Sequence, residues 1–194
     1  MSLDSVVASS KVLELLKRLH AASNAQESSF SLFLFWIRKR LFPGKTPWTS
    51  RDEDFMRDKF IALESDKSQF IYMLARSSGA LNIVEAGTSF GVSTIYLALA
   101  AGQNAKALGG STVAGQGARV IATEYEPQKA NKAREHWKEA GDEVEPWITL
   151  LEGDLQETLA PEVNKLDRVD ILLLDSMFNA FCFLWLHCYI QLLY

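Results

Sequence analysis

Apolar residues follow two different spacings along this 194-residue chain. In the first part they recur every three or four positions, as at Val12, Leu15 and Leu19, and this spacing is typical of amphipathic helices. In the second part short apolar runs alternate with helix-like segments, which is typical of strands and helices in turn. The pattern therefore predicts a helical cap over residues 1–77 and an α/β region over residues 78–175.

The α/β region is expected to form a parallel sheet with helices on both faces, because its strands and helices alternate along the chain. Ligands of such sheets bind at the carboxyl ends of the strands. Gly102 and Gly141 are expected to end the two predicted helices. The predicted strands cover residues 81–86, 119–124, 147–154 and 168–175, and the predicted helices cover residues 93–102 and 126–141.

Composition and charge limit the class of protein, the kind of partner and the cellular location that we expect for the chain. Apolar residues make up 48% and charged residues 23%, as in ordinary globular domains, and the net charge of −4 gives no reason to expect nucleic acid as a partner. Residues 1–20 lack the pattern of a secretory signal, and the two cysteines do not form a disulfide framework. We therefore expect a cytoplasmic protein.

Two stretches interrupt the regular pattern. The aromatic-rich segment 30–42 is too short to span a bilayer, and it is expected to cap the core or to face a partner, such as the second chain of a homodimer. A helix lying on a membrane surface is the alternative for this segment. The glycine-rich stretch 101–117 exceeds the usual connection of about 2 to 6 residues and is expected to be a flexible insertion.

Acidic residues stand at the end of every predicted strand, and a glycine-rich turn follows the first of them. The acids are Glu85, Glu124, Asp154 and Asp175. Gly87 and Gly91 allow the backbone to approach a ligand closely, and Ser93 begins the next helix, where N–H groups favour a carboxylate or phosphate. An acid in the position of Glu124 can accept hydrogen bonds from two ribose hydroxyls. The pattern indicates a nucleotide-like ligand, although Ser93 could equally serve only as a helix cap.

The stretch VEAGTSFGVSTIYLALA, followed by VIATEYEP, EGDLQETL and VDILLLD, resembles the S-adenosylmethionine-dependent methyltransferases of class I fold. It is more narrowly similar to the small-molecule O-methyltransferases related to the catechol and caffeoyl-coenzyme A enzymes, in particular their fungal relatives. The resemblance covers roughly residues 55–175 and implies a Rossmann-like sheet. The family motif E-x-G-T-x-x-G-x-S is matched by Glu85, Gly87, Thr88, Gly91 and Ser93.

The resemblance implies a role for each matched position. The turn from Gly87 to Gly91 would pack against the methionine part of S-adenosylmethionine, and Ser93 would hold its carboxylate. Glu124 would bind the ribose hydroxyls, and Asp154 would lie near the adenine. The methyl acceptor implied is a small phenol- or catechol-like molecule.

Asp175 is the residue that the resemblance places nearest the methyl acceptor. It matches an acid that binds Mg²⁺ or another divalent cation in the metal-dependent members of the family. Such a cation could orient the acceptor hydroxyl and lower its pKa. Asp175 is therefore expected to be a metal ligand and a catalytic residue.

The chain departs from the family after Asp175. The family's fifth strand, its second acidic-amide pair of metal ligands, its basic residue and its closing strands have no match here. Residues 176–194 contain no Asp, Glu, Lys or Arg, and this break in composition suggests an aberrant, non-native end of a truncated domain. A membrane tail anchor and a strand or helix packed on the sheet are the alternatives. We expect this form of the enzyme to be impaired.

Two other functions compete with methyl transfer. A truncated paralogue could bind the cofactor or a partner without turnover. An NAD(P)-dependent Rossmann oxidoreductase would need G-x-G-x-x-G or T-G-x-x-x-G-x-G together with a downstream Y-x-x-x-K pair, and neither of these glycine patterns is found in the sequence.

Overall fold

A computed structural model describes residues 3–27, 33, 37, 41, 59–60, 62–109 and 117–175 of the chain. Four parallel strands form one sheet in the order β3-β2-β1-β4. The strands are β1 Asn82–Ala86, β2 Arg119–Glu124, β3 Ile148–Glu152 and β4 Ile171–Leu174. The helices are α1 Ser10–Glu27, α2 Ser65–Ser77, α3 Val92–Ala107, α4 Pro127–Ala140 and α5 Leu155–Val163, with a 3₁₀ turn at Glu145–Trp147.

Strand β1 lies in the interior of the sheet, between β2 and β4. The chain runs outward from β1 through β2 to β3 and then returns to place β4 on the other side of β1. This reversal makes the carboxyl end of β1 the topological switch point, where open α/β sheets bind their ligands. The carboxylate of Asp170 secures the return, because its Oδ2 accepts hydrogen bonds from the backbone N–H groups of Leu81 at 2.8 Å and Asn82 at 2.9 Å.

Helix α3 is the centre of the main core. Most of its side chains are buried on every face, because α2, α4, the sheet and the 3₁₀ turn surround it. Gly102 lies inside this helix and not at its end, so the predicted helix end there is wrong. A β-carbon at Gly102 would lie 2.5 Å from the buried indole nitrogen Nε1 of Trp147. The glycine is needed for close packing, and α3 continues to Ala107.

The amino-terminal part of the described chain is fastened to this core by polar contacts. Tyr72 donates its hydroxyl hydrogen to Gln103 Oε1 at 2.7 Å, and Gln103 Nε2 donates to the carbonyl oxygen of Val7, also at 2.7 Å. His20 Nε2 and the hydroxyl of Tyr96 are hydrogen-bonded at 2.9 Å, and both side chains are buried. Helices α1 and α2 therefore pack on the sheet domain as part of one core.

The predicted α/β fold is confirmed, and each predicted strand agrees with the observed strand to within three residues at either end, whereas α3 continues five residues beyond its predicted end. Strand β2 has the predicted bounds, and Gly141 ends α4 with a positive φ of 80°. The expectations for residues 30–42 as a segment, for residues 110–116 of the insertion and for residues 176–194 lie outside the described residues. The division into cap, domain and tail stays a prediction. None of the helices that the structure describes is long and apolar enough to cross a membrane.

The packing at Gly102 gives a first prediction. We expect Gly102→Ala to lower the free energy of unfolding by up to about 2 kcal/mol, because overpacking costs about 1–3 kcal/mol and a gain in helix propensity of about 1 kcal/mol offsets part of it. Urea titration followed by tryptophan fluorescence measures the change. Adding Trp147→Phe should recover part of the loss, because it removes the contacted Nε1 atom. A stabilised Gly102→Ala variant would contradict this packing argument.

Candidate functional site

The turn between β1 and α3 carries three residues in the left-handed backbone region. Gly87 has a φ of 93°, Ser89 of 50° and Gly91 of 79°. Residues other than glycine rarely adopt this backbone region, so neighbouring groups must hold Ser89 in it. Strand β2 supplies part of that support, because Thr88 N–H donates to the carbonyl oxygen of Thr123 at 2.9 Å. The chain from Gly87 to Gly91 is called the cofactor loop below, after the role that the sequence predicts for it.

Glu85 is the buried centre of this region, with an exposure of 0%. Its carboxylate accepts hydrogen bonds from three hydroxyls: from Thr88 at 3.0 Å, and from Ser93 and Thr94 at 2.5 Å each. Burial raises the pKa of Glu85, and the three hydroxyl donors oppose that shift. Since the donors come from the loop and from the first turn of α3, the carboxylate joins β1 to both.

Glu124 holds the other side of the loop. Its Oε2 accepts the backbone N–H of Ser89 at 2.7 Å, and its Oε1 accepts the N–H of Glu126 at 2.8 Å. The side chain is half-buried, in contrast to that of Glu85. Because each carboxylate oxygen has more than one lone-pair direction, Glu124 retains capacity to accept further hydrogen bonds.

Helix α4 supports the loop from behind. Trp137 Nε1 donates to the carbonyl oxygen of Gly91 at 3.0 Å, and His136 Nδ1 lies 2.9 Å from the carbonyl oxygen of Phe90. A β-carbon at Gly91 would lie 2.5 Å from Trp137 Nε1 and 2.9 Å from the β-carbon of Ala133. Gly91 is therefore required both by its positive φ and by the close approach of α4.

Asp154 lies at the carboxyl end of β3, at the start of α5. Its Oδ1 accepts the backbone N–H of Gln156 at 2.9 Å, so that the side chain caps the helix. Asp154 is exposed. The adjacent Gly153 donates its N–H to the carbonyl oxygen of Glu124 at 3.0 Å, which holds this strand end beside that of β2.

Asp175 directly follows β4 and is bonded to the end of β1, because its N–H donates to the carbonyl oxygen of Ala86 at 2.9 Å. The residue is exposed, but nearby protein atoms displace part of the water around its carboxyl and raise its pKa, against the opposing charge of Lys67. Within the described ranges, no group of three or more His, Cys, Asp and Glu side chains could hold a metal ion. Those residues therefore do not complete a cation site at Asp175.

The structure brings most of the predicted site residues together at the carboxyl ends of β1 and β2. Direct hydrogen bonds join the carboxylates of Glu85 and Glu124 to the cofactor loop and to Ser93. Asp154 and Asp175 lie at the ends of the flanking strands, on either side of this group. Sequence reasoning missed His136 and Thr123, because their contacts with the loop arise only from the packing of α4 and β2.

Comparisons with known proteins agree with this geometry. A family described as a methyltransferase domain matches residues 84–183, which is just over half of the chain. No curated protein matches. The expected similarity to fungal enzymes in particular stays a prediction.

Several solved structures are similar to this chain. The O-methyltransferase from Bacillus cereus in complex with SAH has 21% identity and a TM-score of 0.51, with 89% of this chain and 57% of that chain covered. Cofactor-bound Rv0187 from MTB has 23% identity and a TM-score of 0.50, with 84% and 53% covered. The O-methyltransferase TomG from Streptomyces achromogenes, in complex with SAM, has 24% identity and a TM-score of 0.48, with 59% and 45% covered. The chain thus spans about half the length of these proteins.

The buried carboxyl gives a prediction on pH. Because the folded-state pKa of Glu85 is raised, its contribution to stability is present below its ordinary pKa and is lost as the pH rises through the folded value. Glu85→Gln has no such titration. The free energy of unfolding of the wild type, minus that of the variant, should therefore fall as the pH rises above about 4.5. Urea titrations between pH 4 and pH 8 measure this difference, and a constant or rising difference would contradict the assignment.

Two glycines with a positive φ, Gly91 and Gly79, give a prediction and its control. Gly91→Ala should lower the free energy of unfolding by about 3 kcal/mol, because strain of about 1–2 kcal/mol adds to overpacking of about 1–3 kcal/mol. Gly79 has a similar φ of 67°, with no atom within 4 Å of its would-be β-carbon. Gly79→Ala should therefore cost only about 1 kcal/mol. Equal losses in urea titrations would show that α4 does not restrict the loop.

Proposed function

The chain belongs to the methyltransferase domain family, and from this premise we propose that it is an S-adenosylmethionine-dependent O-methyltransferase acting on a small phenol- or catechol-like hydroxyl compound. The observation that carries the proposal is the Glu124 carboxylate. It holds Ser89 of the cofactor loop at 2.7 Å and stands at the carboxyl end of the strand next to β1. A ribose-binding acid requires this position beside the loop.

The residues at this edge fit the parts of S-adenosylmethionine. Glu124 is proposed to accept hydrogen bonds from the two ribose hydroxyls while it retains its backbone contacts. Gly87 offers backbone without a side chain at the start of the loop, where the methionine part is proposed to pack. Gly91, with its positive φ, closes the same turn.

Two hydroxyl residues, Ser93 and Thr88, are proposed to support the methionine end. Ser93 stands in the first turn of α3, where the helix N-terminus favours the carboxylate of the methionine part. Its own hydroxyl hydrogen is donated to Glu85, so the backbone N–H groups of that turn are proposed to bind this carboxylate, and the hydroxyl oxygens of Ser93 and Thr88 can only accept hydrogen bonds from the ligand. Glu85 is fully buried, and we propose that it contributes by fixing these hydroxyls.

Asp154 and Asp175 are proposed to flank the bound cofactor. Asp154, at the start of α5, lies on the side of β3, where the adenine is expected. Asp175, beyond β4, lies on the opposite side of the loop, where the methyl acceptor is expected. Lys67 interacts electrostatically with Asp175, so the amino-terminal end of α2 also faces this side.

The proposed reaction is an in-line displacement. S-adenosylmethionine supplies, when bound, a methyl group already activated on a sulfonium sulfur. An acceptor oxygen forms a bond to the methyl carbon, the carbon–sulfur bond breaks, and S-adenosylhomocysteine is released. The protein mainly has to position the acceptor in line with that bond. Because nearby atoms raise the pKa of Asp175, its carboxylate is a better acceptor for the hydroxyl proton than an ordinary aspartate.

A divalent cation is not needed for these assignments. The described residues supply Asp175 but not the remaining oxygen ligands, so we derive no step through a metal. The expected cytoplasmic location and homodimer also stay predictions.

Calorimetric titration of the 194-residue chain tests the proposal. S-adenosylhomocysteine should bind and NAD should not. A radiolabelled methyl-transfer assay with a catechol acceptor then separates an enzyme from a paralogue that binds the cofactor without turnover. Binding of NAD in preference to S-adenosylhomocysteine would contradict the proposal.

Substitution of Glu124 is the most direct test of the ribose assignment. Glu124→Gln should weaken S-adenosylhomocysteine binding by about tenfold or more, because hydrogen bonds to a charged acceptor are worth about 1.5–3 kcal/mol. Glu152→Gln is the matched control, since Glu152 pairs in register with Glu124 on the adjacent strand and bonds to Arg134 instead of the loop. Calorimetry measures both variants. Wild-type affinity in Glu124→Gln would show that the ribose assignment is wrong.

A further inference from the structure

His136 joins three segments that are far apart in the sequence. It lies on α4, with an exposure of only 7%. Its Nδ1 is 2.9 Å from the carbonyl oxygen of Phe90 in the cofactor loop. Because a carbonyl oxygen only accepts hydrogen bonds, Nδ1 must carry the hydrogen. The ring also meets Phe60 edge-on, with centroids 5.9 Å apart and an interplanar angle of 86°.

Phe60 extends this contact to α1. Its ring packs on Phe90 with centroids 4.6 Å apart, and its backbone N–H donates to Gln26 Oε1 at 2.8 Å. The imidazole of His136 therefore stands where the loop, the segment before α2 and helix α4 meet. Loss of the imidazole would therefore loosen the contact between α4 and the loop, while Glu124 would still bond to Ser89.

We propose that His136 is a positioning residue, which holds the cofactor loop in its binding shape by donating the hydrogen of Nδ1 to the Phe90 carbonyl oxygen. The inference rests on the proposed function, since it assigns a regulation to the same site. His136 contacts neither of the carboxylates that shape the loop from the other side. Its role is to keep the Phe90–Gly91 peptide in place while Trp137 bonds the next carbonyl oxygen.

The surroundings of His136 determine the direction of its pH response. Burial lowers its pKa, with the Phe90 carbonyl opposing the shift. Lys132 on α4 and Arg18 on α1 lower the pKa further, and Glu139 raises it, although Glu139 is paired with Arg18 at 2.6 Å.

Two more charges lie nearby. Glu135 on α4 interacts electrostatically with His136, and Lys129 stands 5.7 Å from the ring centroid of Phe90. With its pKa lowered, the neutral ring contributes to stability above its ordinary pKa of about 6.5, and this contribution is lost as the pH falls through the folded value. Cofactor affinity should weaken in the same direction, because a protonated ring must leave its buried position or bring a charge into it.

Three variants separate positioning from general stability. His136→Asn keeps an N–H near the position of Nδ1 but cannot titrate, and His136→Leu fills similar space without a donor. His20→Gln is the matched control, because His20 is also buried with a lowered pKa, but it bonds to Tyr96 on α3, away from the loop. Calorimetry with S-adenosylhomocysteine between pH 5 and pH 8 gives Kd for each protein, and urea titration gives its stability.

The wild type should bind about three- to tenfold more weakly at pH 5 than at pH 7.5, and His20→Gln should keep that profile. His136→Asn should bind within about threefold of the wild type at pH 7.5 and lose most of the pH dependence, while His136→Leu should bind about tenfold more weakly at every pH. Wild-type affinity in His136→Leu, or an equal loss in His20→Gln, would overturn the inference.

Hydrogen exchange keeps the inference testable if the proposed function fails. The amide hydrogens of Ser89 and Gly91 are bonded within the site, to Glu124 and to the Thr88 carbonyl oxygen. If the wild type binds no S-adenosylhomocysteine, the cofactor assignment fails by itself. Exchange at these two amides should still be about tenfold faster in His136→Leu than in His20→Gln. Equal exchange in the two variants would remove the positioning role.

Discussion

The burial of one carboxylate constrains the whole site. A charged group removed from water must be compensated by hydrogen bonds, and Glu85 obtains them from the hydroxyls of Thr88, Ser93 and Thr94. These donors lie on both sides of a single turn. To reach the carboxylate together, the chain has to leave β1, reverse its direction within the loop and enter α3 at one angle. The left-handed residues of the loop follow from this requirement, since no extended or helical path makes so sharp a turn.

Two elements hold this loop, and each of them bonds to a different set of its backbone groups. From β2, Thr123 and Glu124 bond to its N–H groups, so the loop is tied to the strand that would also bind a ribose. From α4, His136 and Trp137 bond to its carbonyl oxygens. Donors and acceptors of one short backbone segment are thus satisfied by separate elements. A change in the packing of α4 therefore alters the loop without altering Glu124, the side chain that is proposed to bind the ribose.

Sequence reasoning could predict the elements of the fold but not the contacts between them. The strand Arg119–Glu124 is a run of β-branched and apolar residues with clear ends, so its bounds follow from local pattern. Gly102 looks like a helix end by the same local rules, and only the buried Trp147 against it explains why the helix continues. The two acids at strand ends looked alike in the sequence. In the structure Glu85 is buried among hydroxyls and Glu124 is half-exposed among backbone amides, a difference that depends on which neighbours pack against each strand.

The proposed site has a cofactor side and an acceptor side. The described residues form many more hydrogen bonds on the cofactor side. On the cofactor side, side chains of β1, β2 and α4 bond to one loop, and side chains of α3 bond to Glu85. On the acceptor side, Asp175 is the acid at the strand end, with Lys67 as its charged neighbour. Cofactor affinity should therefore depend on the hydrogen bonds around Glu85, Glu124 and the loop, whereas turnover should depend on how the acceptor oxygen is placed against Asp175. Because separate residues are proposed to govern them, a variant at Asp175 can abolish methyl transfer and leave cofactor binding intact, whereas a variant that abolishes cofactor binding abolishes methyl transfer as well.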